Sequence, residues 1–98
     1  PFQNMIYLGD GETDIPSMRI VKTEGGHSVA IYKPGNRNSC AQAKRLVQRG
    51  RVNFACPGDY TEGSELYQVI TATIAKIKTY SKFNTLEREN QKSMLERK

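Results

Sequence analysis

Met5-Ile6-Tyr7-Leu8 is a short apolar run that ends abruptly in Gly9-Asp10-Gly11-Glu12-Thr13-Asp14, an acidic loop punctuated by glycine. Four apolar residues bounded by turn formers predict a buried strand, and the two glycines allow the backbone to bend sharply before a following helix. A strand that passes into such a loop delivers carboxylates to the edge of a sheet, so Asp10 and Asp14 can converge on one cation. Magnesium suits that geometry: it is small, hard and oxygen-seeking, and is held by one or two carboxylates together with waters and phosphate oxygens. The same residues have a plainer reading, since acidic glycine loops also serve as turns and Asp is a frequent helix N-cap.

The remaining pattern is strand, helix, strand, helix, strand, helix, which argues for parallel pairing with right-handed crossovers. Asp14 or Thr13 caps a first helix that tolerates Pro16 in its opening turn, with Ile15, Met18 and Val21 on one face and Gly25-Gly26 at its end. Ser28 to Tyr32 reads as a second strand, closed by the exposed turn Lys33-Pro34-Gly35-Asn36. Ser39 then reads as the N-cap of a helix through Arg49, with Ala43, Leu46 and Val47 inward and Gly50 at its C-terminus. Val52 to Cys56 supplies a third strand. From about Gly63 a long amphipathic helix carries Leu66, Val69, Ile70, Thr73, Ile74 and Ile77 at three-and-four spacing. Beyond Lys78 the apolar residues thin out amid charge, and Asn84-Thr85 offers a break and a fresh N-cap. The expected division is a core over residues 1–83 and a charged helical tail over 84–98.

Asn4 to Met18, Asn-Met-Ile-Tyr-Leu-Gly-Asp-Gly-Glu-Thr-Asp-Ile-Pro-Ser-Met, resembles the fourth motif of the haloacid dehalogenase-like (HAD) hydrolases, and Gly26 to Pro34 resembles the segment next to that motif in the family. The likeness is greatest to phosphoserine-phosphatase-like members and extends to about Thr73. It implies a partial Rossmann-like three-layer sandwich of about three parallel strands with crossover helices and a long C-terminal helix. It also implies that Asp10 coordinates Mg2+ directly, that Asp14 orients metal-bound water, that Gly9 and Gly11 shape the loop, and that Thr13 lies near the substrate. The family's three earlier motifs carry the nucleophilic and acid aspartates, a phosphate-binding hydroxyl and a lysine, and none stands in these residues. The resemblance therefore implies the C-terminal fragment of a magnesium-dependent phosphatase acting on a phosphorylated small molecule, inactive alone towards an aryl phosphate and completed by a missing N-terminal part. The competing expectation is a non-catalytic α/β regulatory or scaffolding module that self-associates as a homo-oligomer through an exposed strand edge or the tail.

Composition agrees with a partial domain, because 98 residues of which 37% are hydrophobic bury only a modest core. No run of eighteen apolar residues and no charged-then-apolar leader is present, which predicts a soluble, cytoplasmic protein without a membrane span. Cys40 and Cys56 lack a Cys-x-x-Cys spacing or a histidine cluster and read as small buried residues rather than a disulfide or zinc ligands. His27, the only histidine, reads as an ordinary loop residue. The net charge of +5 is concentrated late: residues 76–98 hold seven Lys or Arg against three Glu, leaving +1 for the rest. A solvated helix of mixed charge accounts for that better than nucleic-acid binding, since Tyr60, Tyr67 and Tyr80 form no stacking platform with basic residues between them. Lys33 reads as part of a surface turn, and Asp59 as a turn or cap residue that could also reach the sheet edge used by Asp10.

Overall fold

The computed structural model describes residues 1–98 and is an α/β arrangement with three parallel strands in an open sheet and a long C-terminal helix. The strands are β1 (Ile6–Gly9), β2 (His27–Tyr32) and β3 (Phe54–Pro57), in spatial order β1-β2-β3. Between them run α1 (Ile15–Thr23) and α2 (Arg37–Gln48), and α3 (Glu65–Leu95) comes last. Ile6 pairs with His27 and Leu8 with Val29 in the first ladder, and Val29 pairs with Phe54 in the second.

Side chains alternate across the central strand, and so do their helix partners. Ala30 joins Met18 of α1, Ala43 and Leu46 of α2, and Val52 in one cluster, against which Tyr7, Ile15 and Tyr32 pack. Val29 meets Cys56 and Leu66 on the opposite face, with Val69 and Ile70 beside them. Helices on both faces explain why β2 is buried over His27 to Ala30, the mark of a central parallel strand. Ser28 is accommodated there because its hydroxyl donates to the Met18 carbonyl, while its N–H donates to the Asn53 side chain at 2.8 Å, which extends the ladder before β3 begins.

β1 is an edge strand rather than the buried strand its composition suggests. Leu8 is 39% exposed, because α3 packs over β3 and leaves the same face of β1 uncovered. α2 begins earlier than the Ser39 cap would have it. Asn36 is the N-cap, its side chain accepting from the Ser39 N–H at 2.9 Å, and Ser39 instead accepts from the Lys33 N–H. An Asx cap three residues ahead satisfies the same orphan amide that a Ser39 cap would serve further on. Val47 and Cys40 are exposed on the outer face of α2, contrary to expectation, whereas Cys56 is buried. His27 is not a loop residue but the first residue of β2, and it is buried.

The anticipated break at Asn84-Thr85 does not occur. Thr85 bonds back to the Ser81 carbonyl within a continuous helix, so a residue able to cap a new helix is spent inside the existing one. Ser64 caps α3 by accepting from the Tyr67 N–H, and only the first turns of the helix, through Thr73, bury residues against the sheet. Every residue from Lys78 onward is exposed, and the molecule extends over 65 Å along its longest axis.

Candidate functional site

The acidic loop lies at the carboxyl end of β1 and is built around Asp14. The Asp14 carboxylate accepts from the Tyr7 hydroxyl at 2.8 Å through Oδ1, and from the N–H groups of Asp10 and Gly11 at 3.1 and 3.3 Å through Oδ2. The chain turns through a 3-10 segment, Glu12–Asp14, and passes directly into α1 with Pro16 near its start. Asp14 stands at the N-cap position of α1 without capping it, because its side chain reaches back into the loop. The Tyr7 hydroxyl, followed by the Asp10 N–H, holds the Asp14 carboxyl below the usual carboxylate range.

Asp10 is treated differently. Its N–H is tied to Asp14, but its exposed carboxylate accepts no hydrogen bond within the protein. The loop thus spends one carboxylate on its own shape and presents the other outward. Asp14 already takes three donors on about four lone-pair positions. This donor set fits one direct oxygen ligand from Asp10 and an indirect contribution from Asp14. No group of three or more His, Cys, Asp or Glu side chains at the loop is placed to hold a metal ion.

The two loop glycines contribute unequally. Gly9 is needed for close packing: a Cβ there would stand 2.6 Å from the Met18 sulfur and 2.8 Å from Asp14 Cβ. Gly11, at φ −145°, is in extended backbone open to any residue, with nothing within 4 Å of an added Cβ. Thr13 is exposed on the 3-10 segment.

Asp10 faces a cleft of about 490 Å3 across the carboxyl ends of the strands, lined also by Tyr32, Lys33, Asn36, Ser39 and Tyr60. Lys33 therefore shares a cleft with Asp10 despite lying in an exposed turn, and Asn36, Ser39 and Tyr60 join it. The signal for these residues is positional: each comes after the carboxyl end of a strand, where ligands of open parallel sheets collect. Partial burial, with the neighbouring thiols and Glu65, pushes the Tyr32 phenol above its ordinary value, so it remains a hydrogen-bond donor near neutrality. Asp59 does not join the cleft. Its carboxylate accepts from the Thr61 N–H at 3.0 Å and hydroxyl at 2.6 Å, which makes it a turn residue.

The chain is 31% identical over 77 residues to an uncharacterized protein from Borreliella burgdorferi, a match covering 76% of this chain. The chain spans about a quarter of the length of that curated relative, 26%. No family model matches the chain, and no solved structure does. No helix is long and apolar enough to cross a membrane.

Proposed function

We propose that this chain is the C-terminal part of a HAD-like, magnesium-dependent phosphohydrolase domain of a cytoplasmic protein, acting on a phosphate ester. The observation that carries this reading is the division of labour between two carboxylates: Asp14 is locked to Tyr7 and two loop amides, and Asp10 is left unbonded at the carboxyl end of β1. Asp10 would hold Mg2+ directly and Asp14 would act through the loop it braces. A bound divalent cation supplies charge neutralisation of the phosphoryl oxygens, which otherwise repel an anionic nucleophile. Lys33, on the same cleft, offers a second positive charge to a phosphorylated substrate. The outer edge of β1 is unpaired, which supports a reading in which a further strand, carrying the attacking group, belongs beside Asp10.

Calorimetric titration with Mg2+ tests this reading. Expected is weak, carboxylate-dependent binding that Asp10→Asn abolishes and Asp14→Asn reduces. Binding that is absent, or the same in Asp10→Asn, overturns it. The same open edge favours a second reading, a non-catalytic module that pairs with another copy of itself along β1. Light scattering separates the two, since a strict monomer with carboxylate-dependent Mg2+ affinity fits only the first.

A further inference from the structure

The opposite end of the sheet carries a second cavity, built from unlike elements. α3 runs back along the face of β2 and β3 and crosses the amino end of β2. There Gln3, Gly25, His27, Lys76, Ile77 and Tyr80 line a half-open cavity of about 220 Å3. Every polar side chain on this wall can donate a hydrogen bond, and none is an acid. Glu24, in the corner between α1 and β2, is exposed and off the wall.

His27 makes this more than a surface notch. It is only 8% exposed, and its Nδ1 lies 3.2 Å from the Met5 carbonyl oxygen. A carbonyl only accepts, so the proton of the neutral ring sits on Nδ1. Nε2 makes no hydrogen bond, yet no buried side-chain nitrogen or oxygen lacks a partner, so Nε2 reaches accessible surface. The accessible part of a residue this deeply placed is the part that lines the cavity. Its neighbours are Lys76 and Tyr80 from α3 and Gln3 from the N-terminal segment. The Gln3 amide folds over Gly25, whose φ of +92° glycine adopts without steric strain, and Gln3 Nε2 lies 3.9 Å from where a Cβ would sit.

We propose that this cavity binds one small oxyanion, a carboxylate or a phosphate-like group, through the Lys76 ammonium, the Gln3 amide, the Tyr80 hydroxyl and a protonated His27 Nε2. The volume equals about seven waters' share of the liquid, which is room for one such group and less than the cavity a nucleotide-sized ligand needs. An anion here ties three elements together, because Gln3 leads into β1, His27 opens β2, and Lys76 and Tyr80 belong to α3. An anion that prefers the protonated ring binds more tightly as the pH falls.

His27 is the chain's only histidine, so its ring signals in an NMR titration need no assignment. The chain is titrated from pH 5 to 8 in about 50 mM sulfate, acetate or chloride at matched ionic strength. Neither sulfate nor most of the acetate changes charge over that range. Tenfold preference for the imidazolium raises the His27 midpoint by about one unit at saturation, relative to chloride. Lys76 is exposed, so Lys76→Met keeps the fold and should remove most of that rise. A rise with sulfate alone assigns a tetrahedral anion, and one with acetate alone assigns a carboxylate; either supports the proposal. A midpoint unmoved by both, or a rise unchanged in Lys76→Met, overturns it.

Discussion

Replacing Gly9 by alanine puts the junction of sheet and loop to a steric test. The added methyl would stand 2.6 Å from the sulfur of Met18 and 2.8 Å from Cβ of Asp14. Met18 is a flexible side chain, but it is 1% exposed and packed among Ala30, Ala43, Leu46 and Val52, so its sulfur has nowhere to go without disturbing the cluster. Asp14 Cβ yields even less, because its carboxylate is anchored at both ends. Overpacking of this kind costs about 1–3 kcal/mol, a large share of the roughly 5–15 kcal/mol that holds a small domain together. With a urea slope near 1.5 kcal/mol/M, the midpoint should fall by about 0.7–2 M. Gly11→Ala is the matched control, since its Cβ meets nothing within 4 Å. It should stay within about 0.5 kcal/mol of the parent, or gain slightly from a stiffer unfolded chain. Urea melts followed by circular dichroism compare the two, and equal midpoints for Gly9→Ala and Gly11→Ala would refute the packing argument.

Leu66 is 0% exposed against Val29 and Cys56, so Leu66→Ala should cost about 2–5 kcal/mol, read from the same urea melts. The Asp14 carboxyl is held below its ordinary 3.8, so its stabilising contribution is complete above the unfolded value and is lost as pH falls through the lower folded one. A pH series of melts should show that loss below about pH 4, with Tyr7→Phe removing most of it because the tyrosine hydroxyl is its largest source. Ending the chain after Phe83 deletes only exposed residues and should leave stability within about 0.5 kcal/mol, with amide exchange in β2 unchanged.

The alternation of strands and helices was legible because each element carries its own punctuation. Gly25 and Gly50, both at positive φ, end the first two helices where the glycines stand in the sequence. Leu66 and Thr73 do face the core, as their spacing requires. The features that stayed hidden depend on neighbours. The exposure of Leu8 results from where α3 happens to lie, and the capping role of Asn36 results from competition between two residues each able to cap. Asp10 and Asp14 were visible as a pair, but their division into one outward and one braced carboxylate needed the position of the Tyr7 hydroxyl. Lys33, Asn36 and Ser39 are neighbours in one turn and helix cap, but nothing local signals that this turn shares a cleft with Asp10 and Tyr60, because the parallel order of the strands brings them together.

An unbroken helix of 31 residues is about 46 Å long, and only its opening turns grip the sheet. Its outer half acts mechanically as a lever whose fulcrum lies where burial ends, near Thr73 and Ile77. A sideways pull near Leu95 is magnified at that fulcrum, so the seating of the helix on Cys56 and Val29 would give way before the rod itself bent.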